Sequence, residues 1–316
     1  MEIKELLNNP TTPLQKIEDE FIQNSGIELY VKRLDLTHPE ISGNKWYKLK
    51  YNLVEAENKG YKKLLTFGGA FSNHIYATAA AGNLFNFETI GIIRGEEHLP
   101  LNHTLNFATS KGMKLFYLDR SSYREKTSSK ALSLLKEKFG EFYLIPEGGS
   151  NQLAVKGCSE IIGEIGIPFD YICTACGTAG TLAGLSTGLN PTQKAIGFSV
   201  LKSGSFLNDN VKQLLTNFGE TKNYKIITDY HFGGYAKITI ELIEFINSFE
   251  KRHNIKLEPI YSAKMFHGIY DLLKNSYFKE GSKIIALHNG GLQGLEGLKD
   301  KIMFLENSRN QNSTGM

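Results

Sequence analysis

The stretch YICTACGTAGTLAG, residues 171–184, decides how this chain folds. Tyr171 to Thr174 is a short apolar run of strand type. Gly177 and Gly180 then free the backbone, and Thr178 and Thr181 add hydroxyls. From Leu182 the pattern turns helical. A strand that runs through a glycine-rich turn into a helix is half of a βαβ unit. The N–H groups that open such a helix have no partner of their own and accept a phosphate. Two readings stay open here, a phosphate cradle and a plain strand-to-helix turn. The dinucleotide fingerprint does not fit, because Leu201 and Lys202 stand where its ribose-binding acid belongs. No Gly-Lys-Ser/Thr follows, so the turn is not a P-loop. Cys173 and Cys176 form a lone CxxC with no second pair, so they read as strand cysteines and no metal is expected.

Outward from this turn the same alternation repeats. Strand patterns cover 63–67, 88–93, 113–118, 142–145, 195–199, 225–228 and 283–287, and helical patterns cover 45–57, 73–84, 128–139, 238–249 and 264–273. This is an α/β chain with mostly parallel, twisted sheets flanked by helices, right-handed in its connections. Ligands in such folds sit beyond the carboxyl ends of the strands. The 316 residues suggest two domains. A hydrophobic share of 41% with 31 Gly and 8 Pro excludes collagen-like and disordered chains. The net charge of +3 calls for neither nucleic acid nor an anionic membrane. No apolar run is long enough for a membrane helix, and the polar N-terminus lacks a signal-type segment. Three cysteines, an odd number, fit a reducing compartment, and a cytoplasmic location is expected. The polar stretch 306–316 is expected to be disordered.

The other strand ends carry the remaining candidates. Gly43-Asn44-Lys45 opens a helix. A lysine at a helix N-terminus is electrostatically disfavoured as a cation, which favours the free amine that forms a Schiff base. The competing reading is a solvated lysine beside Lys48 and Lys50. Gly68-Gly69-Ala70-Phe71-Ser72-Asn73 offers a helix cap or, functionally, a hydroxyl and an amide at a ligand. Glu258-Pro-Ile-Tyr261-Ser262, His288-Asn289-Gly-Gly291 and the glycine-exposed Tyr235 complete the set.

Together these segments resemble the pyridoxal-phosphate enzymes of fold type II, the tryptophan synthase β family. Within it they are most similar to the branch of 1-aminocyclopropane-1-carboxylate deaminase and D-cysteine desulfhydrase. The family patterns GNKxxKLxY, GGxxSN, a Gly/Thr-rich loop, DPxY and HxGG appear here in that order, at Gly43–Tyr51, Gly68–Asn73, Gly177–Thr181, Glu258–Tyr261 and His288–Gly291. The resemblance spans residues 30–295. It implies pyridoxal 5'-phosphate as cofactor, carried covalently by Lys45. It implies that Asn73 faces the cofactor's phenolic oxygen and that Ser72 serves proton transfer and the substrate carboxylate. The loop Thr178-Ala179-Gly180-Thr181 would hold the phosphate, Tyr235 and Tyr261 would line the active site, and Ser262 and Asn289 would lie against the ring. Two domains are implied, one of residues 1–47 plus 157–305 and a smaller one of 48–156. A homodimer and a small amino-acid substrate are implied as well.

Four residues depart from the better-known members. The deaminase has a glutamate at the ring nitrogen where this chain has Ser262. A carboxylate keeps that nitrogen protonated and makes a strong electron sink, whereas a hydroxyl makes a weaker one. Opening a cyclopropane calls for the strong sink, and expelling sulfide does not. Asn289 replaces Thr or Leu, and Trp46 and Tyr47 replace smaller or basic residues. The expected activity is therefore D-cysteine desulfhydrase-like elimination to pyruvate, ammonia and sulfide. The alternatives are the deaminase, with 2-oxobutanoate as product, and a non-catalytic protein that binds the cofactor or a small ligand. For the α-proton, Lys45 is the first candidate base, with Ser72 or a tyrosine as the alternative for a D-substrate.

Overall fold

The computed structural model describes residues 2–218 and 223–313. Its strands, among the described residues, are β1 (Leu14–Lys16), β2 (Glu28–Lys32), β3 (Lys63–Gly69), β4 (Glu88–Arg94), β5 (Lys114–Leu118), β6 (Tyr143–Ile145), β7 (Tyr171–Cys176), β8 (Lys194–Ser199), β9 (Tyr224–Ile227) and β10 (Lys283–Leu287). They form two sheets. One has the order β1-β2-β10-β7-β8-β9 and the other β5-β4-β3-β6. Every pairing is parallel except β1 with β2. The mostly parallel α/β architecture read from the sequence is thus the observed one.

The helices are α1 (Glu20–Asn24), α2 (Asn44–Asn58), α3 (Asn73–Leu84), α4 (His103–Ser110), α5 (Arg120–Arg124), α6 (Ser129–Phe139), α7 (Gln152–Ser159), α8 (Gly180–Gly188), α9 (Leu207–Leu214), α10 (Ile240–His253), α11 (Ser262–Lys274) and α12 (Lys299–Ser313). The smaller sheet is covered on both faces, as an all-parallel sheet requires. Leu65, Phe67, Ile90 and Ile92 pack on one side, and Ile75, Ala79, Ile93 and Leu105 on the other. A larger apolar cluster joins the two lobes through α2. It contains Trp46, Tyr47, Leu49 and Leu53 together with Leu64 and Ile145 of one lobe and Ile172 and Ile285 of the other. All four strands of the smaller sheet fall within residues 48–156. Both ends of that segment lie inside bridging helices, α2 and α7.

The stretch from Glu306 departs from expectation. It is helical to Ser313, as the end of α12, and residues 314–316 lie outside the described residues. The helix is anchored before the polar stretch begins: Ile302 and Leu305 pack against Ile238, Ile243 and Ile260. Asn247 Nδ2 then donates to Glu306 Oε1 at 3.1 Å. Once a turn is anchored, each further residue costs little, so polar sequence continues the helix. No helix of the described residues is long and apolar enough to cross a membrane.

Gly43 fixes how α2 enters the fold. Its φ is +69°, and a Cβ there would lie 1.8 Å from the carbonyl oxygen of Asn289. Both the left-handed backbone and the contact demand glycine. Gly43→Ala should destabilise the fold by about 2–4 kcal/mol, from backbone strain plus forced displacement of the 288–291 turn. Urea unfolding monitored by circular dichroism would check this, and an unchanged midpoint would refute the crossing.

Candidate active site

The candidate residues converge where α2, α3, α8 and α11 begin. Lys45 Nζ donates to Asn44 Oδ1 at 2.8 Å, and Asn44 Nδ2 donates to Thr181 Oγ1 at 2.8 Å, which ties the first turn of α2 to the glycine-rich loop. Burial, with the nearby Lys48 ammonium adding to it, lowers the Lys45 pKa to about 7. A substantial fraction is therefore free amine at neutral pH. The expected helix-end effect acts in the same direction, but burial dominates.

Lys48 lies one turn on. It is buried, not solvated, and Nζ donates to Gly148 O at 2.9 Å, Thr178 Oγ1 at 3.1 Å and Ser150 Oγ at 3.2 Å. All three partners are neutral. Lys50 is also buried, paired with Glu160. At Gly180 a Cβ would lie 2.7 Å from Ser150 Oγ and 3.2 Å from Lys48 Nζ, so a side chain there would fill the cradle. Ala179 is the buried N-cap position of α8. Two hydroxyls, an ammonium and the opening N–H groups of a nine-residue helix meet here.

Ser72 caps α3. Its Oγ accepts from His74 N at 3.2 Å and Ile75 N at 3.3 Å, which leaves its proton to donate. Asn73 Oδ1 accepts from Gln293 Nε2 at 3.0 Å, and its Nδ2 lies against Gly291. Asn289 Nδ2 donates to Thr174 Oγ1 at 2.8 Å. Its Oδ1 is buried without a partner among the described residues, an acceptor waiting for a donor.

The tyrosines sit opposite the loop. The Tyr261 ring rests on Gly177, where a Cβ would approach Cε1 to 2.8 Å. Tyr261 and Tyr235 pack edge to face at 5.9 Å between centroids, with hydroxyls 3.4 Å apart. Burial raises both phenols, so both remain protonated donors at neutral pH. The Ser262 hydroxyl accepts from Glu258 N at 2.9 Å and donates to Glu258 O at 3.1 Å. It stays neutral in either direction.

Sequence reasoning missed four residues around this set. Lys48 was passed over as a surface cation. Glu258, buried and raised by burial to about 7, accepts from Ile260 N at 2.8 Å, Tyr261 N at 2.9 Å and Ser262 N at 2.5 Å. It therefore shapes the turn that presents Tyr261 and Ser262. Lys264 donates to the carbonyls of His231 at 2.9 Å and Gly234 at 2.8 Å, tethering the turn that presents Tyr235. His74 is buried, bonded to Thr66 through Nε2, with Nδ1 unpartnered among the described residues. Two signals were available for Lys48: it fills the second lysine of GNKxxKLxY, and it shares a helix face with Lys45 at i+3.

Pyridoxal phosphate suits this donor set. Its phosphate would meet the Lys48 ammonium and the cradle around Gly180, its aldehyde a largely neutral Lys45, and its ring polar atoms the amide of Asn73 and the orphaned acceptor of Asn289. Comparison with known proteins agrees. The model of the family described as pyridoxal-phosphate dependent enzyme matches residues 6–290. A Pyrococcus furiosus protein with the provisional name of a 1-aminocyclopropane-1-carboxylate deaminase is 35% identical over 308 residues, covering 92% of this chain and 93% of its own. The mitochondrial bifunctional D-cysteine desulfhydrase/1-aminocyclopropane-1-carboxylate deaminase of Arabidopsis thaliana is 34% identical over 306 residues, covering 89% of this chain and 76% of its own. A solved structure described as an ACC deaminase homologue superposes with a TM-score of 0.81 at 31% identity, covering 96% of this chain and 99% of that one.

Two measurements test the cavity. Below pH 7 Lys45 is increasingly protonated and loses its lone pair. Capture of pyridoxal phosphate by cofactor-free protein should then slow about tenfold per pH unit and level off above pH 7. Stopped-flow visible absorbance would follow it, and a flat profile would remove Lys45 as the titrating group. Lys48→Met should weaken binding of pyridoxal phosphate at least about tenfold, roughly 1.4 kcal/mol, yet leave unphosphorylated pyridoxal unaffected. An equal loss for both would mean that Lys48 does not serve the phosphate. By its motifs, its fold and the span of the matched model, the chain belongs to the pyridoxal-phosphate dependent enzyme family.

Proposed function

We propose that this enzyme is a lyase that performs α,β-elimination on D-cysteine, giving pyruvate, ammonia and sulfide. The observation that carries this reading is the neutral group after Tyr261. Ser262 is a hydroxyl, and the buried carboxylate nearby, Glu258, is committed to three backbone N–H groups. Pyridoxal phosphate, when bound, supplies the electron sink for the pair released at Cα. A ring faced only by neutral partners is a weaker sink, sufficient for a leaving group as good as sulfide.

The protein's own groups divide the remaining work. Lys45 holds and moves the Cα proton, since a pKa near 7 matches the operating pH of a general base. The tyrosines are less suited to that step, because burial keeps both protonated. They fit the part of proton donors to the departing group instead. Ser72, with its proton free and its backbone in a helix-opening turn, receives the substrate carboxylate. The second reading, deamination of 1-aminocyclopropane-1-carboxylate to 2-oxobutanoate, is favoured by the provisional name of the Pyrococcus furiosus relative, whereas the name of the Arabidopsis thaliana relative carries both activities. A homodimer in the cytoplasm completes the proposal. The resemblance supports the dimer, and three buried free thiols support a reducing compartment.

D-Cysteine and 1-aminocyclopropane-1-carboxylate should be compared side by side on cofactor-loaded protein, scoring sulfide and 2-oxoacid. We expect kcat/KM for D-cysteine to exceed that for the cyclopropane at least about tenfold, a difference of roughly 1.4 kcal/mol in transition-state binding. Oxobutanoate formed at a comparable rate would overturn the argument from Ser262. Tyr261→Phe should lower kcat on D-cysteine by about 10²-fold, the scale of a lost general acid. An unchanged kcat would remove Tyr261 from proton transfer.

A further inference from the structure

A cavity of about 860 Å³ opens at the carboxyl ends of all four strands of the smaller sheet. Gly69 and Ala70 line it after β3, Arg94 at the end of β4, Asp119 after β5 and Glu147 after β6. It adjoins the candidate site on two sides. Ser72 N donates to Gly69 O at 3.0 Å, so the turn that walls the cavity also presents Ser72. Glu147 precedes Gly148, whose carbonyl holds Lys48. The Arg94 guanidinium lies 3.6 Å from the Cβ position of Gly69 and 5.9 Å from the Tyr123 ring centroid. Arg94 and Glu147 are also close enough to bias the Tyr235 hydroxyl electrostatically.

The charges of this cavity do not cancel locally. Glu147 is paired with Lys126 at 3.1 Å. Asp119 is committed to the cap of α5, accepting from Ser121 N at 2.8 Å and Ser122 N at 3.1 Å. Hydrogen bonds from N–H groups do not cancel the Asp119 charge, so four cations, Arg94, Arg120, Arg124 and Lys126, face three carboxylates, Glu96, Asp119 and Glu147, and the three arginines have no ion pair among the described residues. The volume is at the upper end of the roughly 300–1,000 Å³ of ligand pockets. A substrate whose side chain ends in one thiol uses little of it and needs no cation there.

We propose that this basic cavity is the distal half of the substrate site, and that Arg94 receives a second negative charge on the β-substituent of the amino acid. The preferred class is a D-amino acid whose β-substituent ends in a sulfonate-type oxyanion. A guanidinium is suited to such a group because it donates two parallel hydrogen bonds. The inference rests on the elimination reading and deepens it. With S-sulfo-D-cysteine the Cα proton is lost and the Cβ–S bond breaks, its electron pair leaving on sulfur as thiosulfate. Hydrolysis of the remaining three-carbon enamine gives pyruvate and ammonia, with no change of oxidation state that needs a further reagent.

The test has a turnover arm and a binding arm. In the first, kcat/KM is measured on wild type and Arg94→Gln for S-sulfo-D-cysteine and neutral S-methyl-D-cysteine, so that leaving-group ability cancels in the comparison. The anionic-to-neutral ratio should fall at least tenfold in the variant, and a ratio that does not move overturns the proposal. In the second, calorimetry compares D-glutamate with D-glutamine, isosteric ligands that differ in one charge and have no β-leaving group. D-Glutamate should bind at least fivefold tighter to the wild type, the advantage should shrink as salt is raised, and Arg94→Gln should abolish it. Equal affinity for the pair, or an equal loss for both in the variant, overturns the proposal. D-Cysteine separates the two claims. If it reacts while neither arm shows a charge preference, the elimination reading stands and this inference falls. If it does not react while D-glutamate keeps its advantage, the D-cysteine reading falls and only the recognition of a second charge by Arg94 stands.

Discussion

The candidate site depends on one backbone crossing, where Gly43 passes against the carbonyl of Asn289. Only a residue without a Cβ, and tolerant of positive φ, can occupy that point. The crossing sets the first turn of α2 onto the carboxyl end of β10. From there the geometry follows by contact. Asn44 reaches Thr181, Lys48 reaches Thr178 one turn later, and Asn289 is pinned to Thr174 of the neighbouring strand. A helix pivoting at this point would carry Lys45 and Lys48 away from the loop together.

The second organising feature is burial of charge without direct counter-charge. Lys48 and Lys264 are held by neutral oxygens, and Glu258 by backbone N–H groups. Desolvation pulls Lys45 and Lys264 down to about 7 and 8, lowers Lys48, and lifts Glu258 to about 7. A solitary buried ion is costly unless something compensates for it. Each of these groups does something with that tension. Lys45 is left partly as free amine, Lys48 holds its ammonium among neutral oxygens beside the glycine-rich loop, and Lys264 and Glu258 fix the turns that present the two tyrosines. The same burial keeps those tyrosines protonated. The two ends of the cleft thus differ in character. The inner end is dry and tuned by desolvation. The outer end, around Arg94, is open to solvent.

Much of this was legible in the chain itself. Strands β3, β4, β7, β8 and β10 have short apolar runs, α2 and α6 have helical patterns and α3 is rich in alanine, so their places were read to within a few residues. The segments that were missed are the short and polar ones. Glu28–Lys32 carries a charge at each end, yet it forms β2 because β1 and β10 pair with it on either side. Residues 306–313 look disordered but continue a helix anchored upstream at Ile302 and Leu305.

By itself, the sequence determined the strand-turn-helix grammar, the glycine positions that no other residue can fill, and the chemical types present at each turn. Those are local properties, set by the backbone and by the functional groups along a few residues. Tertiary structure alone decided which charged groups leave water. Lys48 and Lys50 read as surface lysines, Lys264 as the start of a helical pattern and Glu258 as a turn residue, until distant elements closed over them. It also decided that Arg94 stays open at the cavity mouth. Desolvation depends on everything packed around a group, not on its neighbours in the chain, and so it is visible only once the whole molecule is folded.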